Sequence, residues 1–403
     1  MTTKAASPPS GILWAKVWGL AAVQGAIILT WVIYNLYLVT LLTGLGFPEP
    51  LAVTLLVIEN ILAAVMEPLM GSLSDRVQHW MGSQFPLIAL GIVLSSGCFI
   101  AIPAVAIFGA GARWLLPTML VAWALAMTLF RAPALSLLGR YAFQTQLPQA
   151  ASILTLVGGI AGAVGPMANR WILSLGPGLT FAIGSFVLIG AAFALRSANP
   201  TAGFTPKDSG DPASASPVSW LALGFIFGTG FGVALGFRCL MTGFPALVTA
   251  QLPEGPQGLI VGLIFIAIAL VAIPGGQLAT RLGNRRTMIL GLALMGILGL
   301  LAGAIASGVL LALFALSFGA CFSMVSNGTI PYALSLVPSQ KAGLGTGMYF
   351  SGGAVASALF GTFADTVSGL SPALILAAGS LFFGLAALCI ASSPRLKLGR
   401  VIH

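Results

Sequence analysis

The sequence predicts an all-α membrane protein, with twelve transmembrane helices in two pseudo-symmetric six-helix bundles. Three observations carry this prediction. Hydrophobic residues make up 58% of the 403-residue chain and charged residues only 6%, where soluble domains carry about 25%, so a water-soluble globule is excluded. Apolar runs of the roughly 20 residues needed to cross a bilayer recur along the chain. One long polar stretch, Ser197 to Pro217, is rich in Pro, Ser and Gly; it reads as a flexible linker and leaves six runs on each side. The expected units are therefore 1–196, a linker at 197–218, and 219–403.

The first run, 17–43, contains Trp31, Tyr34, Asn35 and Tyr37, and the second, 51–70, contains Glu59 and Glu67. The third covers 85–108, and the fourth, 115–138, holds Trp123 and Arg131. In the fifth, 150–175, Gly158, Gly159, Gly162 and Gly165 put small residues at helical spacing, the pattern of a close helix contact. The sixth is 178–196. Beyond the linker come 219–248 with Arg238, then 257–279, 287–306, 308–334 with Asn327 and Tyr332, 341–364 and 371–391. The many Gly and Pro residues are compatible with helices here, because neighbouring helices re-satisfy the backbone.

Orientation follows from the basic residues. With the N-terminus inside, Lys4, Lys16, Arg76, Arg140, Arg196, Lys207, Arg281, Arg285, Arg286, Lys341, Arg395, Lys397 and Arg400 are all cytoplasmic, against only Arg113 and Arg170 outside. That is a strong positive-inside bias. Both termini are expected in the cytoplasm of a prokaryotic cell, and the net charge of +9 is a topology signal, not a nucleic-acid footprint. No targeting peptide is evident. Cys98, Cys239, Cys321 and Cys389 fall in separate runs, which suggests neither a disulfide framework nor a metal site. The only histidines are His79 and His403, no phosphate-binding loop is visible, and an enzyme is not expected.

The two halves echo one another. Gly71-Ser-Leu-Ser-Asp-Arg after the second run answers Gly276-Gln-Leu-Ala-Thr-Arg after the eighth, and Pro133-Ala-Leu-Ser-Leu answers Pro331-Tyr-Ala-Leu-Ser-Leu at a similar separation. Six plus six helices, a central linker and this repeated loop resemble the major facilitator superfamily. The resemblance implies two bundles rocking around a midplane site by alternating access, a gating role for Gly71, Asp75, Arg76, Gly276, Arg281 and Arg285, and a cavity lined by helices 1, 4, 7 and 10. In the loop, the acidic residue can face a neighbouring helix N-terminus. A narrower stretch, Glu67-Pro-Leu-Met-Gly71, then Asp75-Arg76, Gly82 and Pro86, resembles helix 2 of the glycoside-pentoside-hexuronide cation symporters and the sucrose porters. The chain departs from that pattern at Ala63, at Ser83 and Gln84, and at Thr280, which stands in the acidic position of the second loop.

Four charges lie within predicted helices. An unpaired ion there costs on the order of 2.5–3.5 kcal/mol on insertion scales, so pairing or an aqueous cavity is expected. At 1.5 Å per residue, Glu67 lies roughly 6 Å and Glu59 roughly 18 Å from Gly71, and Arg131 lies roughly 14 Å from Arg140. A salt-linked set of Glu59, Glu67 and Arg131 is thus expected, serving either ion coupling or static bundle cohesion. Arg238 reaches across to the first half, serves a ligand, or has a structural role. Guanidinium forks suit an anionic or hydroxyl-rich solute, and the cavity helices add Trp31, Tyr34, Asn35, Trp123, Asn327 and Tyr332 as candidate contacts. The expected function is secondary transport of a small polar solute, sugar-like or anionic, by symport with H⁺ or Na⁺ through Glu67 and Glu59. The alternative is a non-transporting assembly factor or receptor on the same fold. No metal or organic cofactor is expected, lipid and solute are the partners, and the protein is expected to be a monomer.

Overall fold

The computed structural model describes residues 11–105, 113–199 and 218–394. The linker from 200 to 217 and the basic residues Lys4, Lys207, Arg395, Lys397 and Arg400 lie outside the described residues. The first half holds α1 (Trp14–Gly44), α2 (Pro50–Met81), α3 (Phe85–Val105), α4 (Leu115–Ser136), α5 (Leu147–Ser174) and α6 (Pro177–Ser197). The second holds α7 (Trp220–Gln251), α8 (Gln257–Leu282), α9 (Asn284–Leu301), α10 (Gly308–Ser335), α11 (Ala342–Thr362), the short α12 (Ala364–Ser368) and α13 (Pro372–Ser392). Serines cap three of them, Ser219, Ser307 and Ser371 each accepting from the backbone N–H three residues on, which satisfies one otherwise orphaned donor.

Two expectations need correction. The stretches from Gly71 and from Gly276, expected as loops, are helical: α2 runs on to Met81 and ends at Gly82 with φ 70°, and α8 runs on to Leu282 and ends at Gly283 with φ 92°. Hydropathy marks where a helix leaves hydrocarbon, whereas the helix itself stops where a glycine can adopt a left-handed conformation. His79 accordingly sits in the last turn of α2. The run 341–364 is α11, and the short α12 follows it from Ala364. Among the described residues, eleven of the long helices are apolar enough to cross a membrane. The other is α11, rich in Gly, Ser and Thr, which packs between α2 and α7 and so has little need of a lipid-facing surface.

Buried apolar side chains gather in two cores, one built from α1 to α6 and one from α7 to α13. The halves meet along two seams, α2 on α11 and α5 on α8. Small residues let backbones approach there. Gly159 and Gly162 face Phe265 and Ala269 of α8, while Gly158 and Gly165 face Ile28 and Val32 of α1. Ile330 and Leu334 of α10 belong to the first core, and Leu334 packs on Gly139. This closes the bundles at the end that carries Arg140 and Lys341. The helices α1 and α7 make no comparable contact.

Because a side chain at Gly159 would meet the backbone of Phe265 and Ala269, Gly159→Leu is expected to destabilise the α5–α8 seam by about 1–3 kcal/mol. Gly190, on α6 with open space around it, is the control, and Gly190→Leu should leave the melting temperature in detergent unchanged. Equal melting temperatures for the two variants would argue against a tight seam.

Candidate functional site

The carboxylates of α2 are both buried, Glu59 at 3% exposure and Glu67 at 0%. They take different partners. Glu67 Oε1 accepts from Arg131 Nε at 2.8 Å and lies 2.5 Å from Arg131 Nη2. Glu59 Oε1 instead accepts from the Tyr34 hydroxyl of α1. The expected three-membered set is therefore split into two pairs. Eight residues separate the glutamates, which is about 12 Å along the axis and roughly 80° around it, so Glu59 turns toward α1 while Glu67 turns toward α4. Each keeps one buried oxygen, Oε2, without a hydrogen-bond partner.

Phe350 covers the Glu67–Arg131 pair from the other half. Its ring lies 4.6 Å from the Arg131 guanidinium carbon, a cation–π contact between α4 and α11. One turn before it on α11, Gly347 sits directly against the Glu67 backbone, where a Cβ would clash, and one residue after it Ser351 Oγ donates to the Ala64 carbonyl at 2.5 Å. Phe350 and Ser351 were not singled out from the sequence. Glycines at 343 and 347 were the available signal, since the four-residue spacing puts both on one helical face.

The remaining predicted solute contacts divide by exposure. Arg238 and Asn35 are exposed, and Trp31 is half-buried. Arg238 Nε donates to Ser357 Oγ of α11 at 3.3 Å, and Asn35 Nδ2 donates to the Trp31 carbonyl at 2.7 Å. The other four are core residues in this conformation. Tyr34 stacks on Trp123 at 4.5 Å, and Trp123 also meets Trp31 and Phe99. Asn327 Nδ2 donates to the Ala272 carbonyl of α8 at 2.7 Å. Tyr332 lies in the last turn of α10, beneath Arg285 at 5.9 Å. Helix rotation turns these side chains into their own bundle, so they touch protein rather than open space.

At the basic end, Asp75 accepts from the backbone N–H of Gly343 at 2.8 Å and of Leu344 at 2.9 Å. These donors are orphans of the first turn of α11, and a carboxylate there also meets the positive end of the helix dipole. Gly71 packs on Gly343, while Gly276, its counterpart, packs on Pro148 and Ser152 at the start of α5. Thr280 stands where Asp75's equivalent would be and donates to its own helix at Gly276. The difference has a local cause: α5 begins Leu147-Pro148, and proline has no N–H to offer. Arg76 and Arg281 are exposed, and Arg285 donates to the carbonyls of Ser393 and Pro394 after α13, a contact within the second bundle. Among the described residues no three His, Cys, Asp or Glu side chains converge, and the four cysteines are free.

A family model described as Major Facilitator Superfamily matches residues 226–400. No curated protein matches the chain. Among solved structures, the human organic anion transporter MFSD10 (TETRAN) superposes with a TM-score of 0.72 at 17% identity, over 95% of this chain and 100% of that one. The proton:xylose symporter XylE bound to 6-bromo-6-deoxy-D-glucose gives 0.70 at 13% identity, over 95% and 96%. A bacterial homologue of the iron transporter ferroportin in an outward-facing state gives 0.68 at 15% identity, over 93% and 98%. The chain has the major facilitator fold.

Between Asp75 and Thr280, only Asp75 reaches backbone donors across a seam, the one between α2 and α11. Hydrogen bonds to a charged group contribute about 1.5–3 kcal/mol each, so Asp75→Asn should raise labelling of a cysteine at Leu334, in a cysteine-free background, by on the order of tenfold. Unchanged labelling would mean that the seam is held elsewhere.

Proposed function

We propose that the protein is a secondary transporter, not an enzyme, that moves a small polar solute by alternating access with Glu67 as the ion-coupling residue. The observation that carries this reading is the Glu67–Arg131 pair between α2 and α4, its carboxylate fully buried and its half-buried guanidinium packed against Phe350 of the opposite half. The attraction within such a pair is strongest while the neighbouring ring limits its contact with water. When the halves separate, Phe350 leaves with α11, Glu67 gains access to a proton or cation, and Arg131 is freed from its partner. Breaking a buried pair is costly in a dry site and cheap in a wet one, so the ionic state of Glu67 and the position of α11 are linked.

The solved neighbours support the class of cargo. They include an organic anion transporter and a proton:xylose symporter, and the Glu67-Pro68 stretch of α2 keeps its similarity to the glycoside-pentoside-hexuronide cation symporters. In this reading H⁺ or Na⁺ is the coupling ion, the basic end is cytoplasmic, and the conformation is outward-facing, because Leu334 on Gly139 and Asp75 on Gly343 seal that end. The Glu59–Tyr34 pair lies about 12 Å farther out, where a second carboxylate can receive the ion first.

Glu67→Gln preserves size and removes the exchangeable charge. In proteoliposomes supplied with a panel of labelled monosaccharides and organic acids, gradient-driven accumulation by the Gln variant should fall to background, while solute exchange at equal ion concentrations continues. Full accumulation by that variant would remove Glu67 from coupling. For orientation, a cysteine at Ser209 should be modified only from the cytoplasmic side, and modification from outside would reverse the assigned topology.

A further inference from the structure

We propose that Arg238 alone is the solute's anchor and that the transported solute is a small organic anion, with Arg131 withheld from it. This rests on the transport reading above and goes further by assigning the two guanidiniums different tasks. Arg131 is already neutralised by Glu67 and covered by Phe350. Arg238 has neither. The Glu67–Arg131 pair is the one salt bridge among the described residues, and Arg238's recorded contact is a single 3.3 Å hydrogen bond to a neutral hydroxyl. A guanidinium carries five donors in a planar fork, so most of its capacity is open.

Arg238 cannot relieve its charge by reaching the membrane surface. It lies thirteen residues from the nearer end of α7 at Gln251, about 20 Å along the axis, far beyond the length of the side chain. Its direction is set by α11. Gly343, Gly347 and Ser351 of α11 contact α2, while Tyr349, Gly352 and Gly353 contact α7. Between those two stripes lie Phe350 and Ser357, seven residues apart and hence on one face, about 10 Å from each other. Phe350 touches Arg131 and Ser357 touches Arg238. Both arginines therefore border the same central space, Arg238 nearer the open end and exposed, Arg131 deeper, half-buried and packed against Phe350. An arriving solute meets an uncompensated positive charge first. The adjacent residue, Phe237, turned about 100° around α7 from Arg238, packs with Phe322 at 4.6 Å and with Phe265 at 6.4 Å, an apolar wall flanking the charge. A carboxylate or sulfonate on a small organic body fits this pairing, because the anion takes the fork and the body covers the rings.

The test uses the full chain with its four cysteines replaced and a single cysteine at Ser357. Labelling is measured from outside with the anionic and the cationic sulfonatoethyl and trimethylammonioethyl methanethiosulfonates, each rate divided by that for free cysteine. With Arg238 present, the normalised rate should favour the anionic reagent by on the order of tenfold. Arg238→Lys should keep the preference and Arg238→Gln should abolish it, with size-exclusion profiles confirming folded protein. Gluconate and benzoate should slow labelling severalfold more than glucose and benzyl alcohol. No labelling from outside, no anionic preference, a preference that survives Arg238→Gln, or equal protection by the neutral compounds would each overturn the assignment. A cysteine at Leu334 that opens on Asp75→Asn while the preference at Ser357 is missing would leave transport standing and retire the anion anchor. Neither response would count against both.

Discussion

A charge pair shared by α2 and α4 has to be kept dry by a helix from the other half, and much of the architecture follows from that requirement. The desolvation of Glu67 and Arg131 is repaid only if their geometry is good and water stays out. Arg131 meets one carboxylate oxygen through two nitrogens, and Phe350 packs against its guanidinium. For Phe350 to be there, α11 must run close enough to α2 for Gly347 to sit on the Glu67 backbone. The small residues of α11, which leave it short of the hydropathy of the other long helices, are the consequence of that closeness.

The two halves repeat one another in plan but not in chemistry. Gly71 and Gly276 both mark close helix approaches, one to α11 and one to α5. Only the first is joined by a carboxylate, because α11 presents free backbone donors at Gly343 and Leu344 while α5 opens with a proline. Charge is distributed with the same asymmetry. The first half holds an ion pair and a second carboxylate bonded to Tyr34, and the second holds an exposed guanidinium. Under the proposed function, a symmetric scaffold carries an ion-coupling side and an anion-binding side, and α11 touches both through Phe350 and Ser357.

Much of this was legible in the chain alone, because bilayer crossing is a property of local composition. Apolar runs, the polar stretch near 200 and the bias of Lys and Arg follow from the hydrocarbon thickness and the cost of burying charge, and they required no knowledge of which helix touches which. The same cost made Glu59, Glu67, Arg131 and Arg238 conspicuous, and depth along the helix placed Arg131 between the two glutamates. Tertiary structure decided the partners. Position along an axis says nothing about rotation around it, and the roughly 80° between Glu59 and Glu67 sent one to Tyr34 and the other to Arg131. Rotation likewise turned Trp123, Asn327 and Tyr332 inward and left Asn35 and Arg238 exposed. Phe350 and Ser357 carry no charge and no rare composition, so nothing local distinguishes them. They matter because α11 lies between α2 and α7, a contact between residues far apart in the chain that packing alone creates.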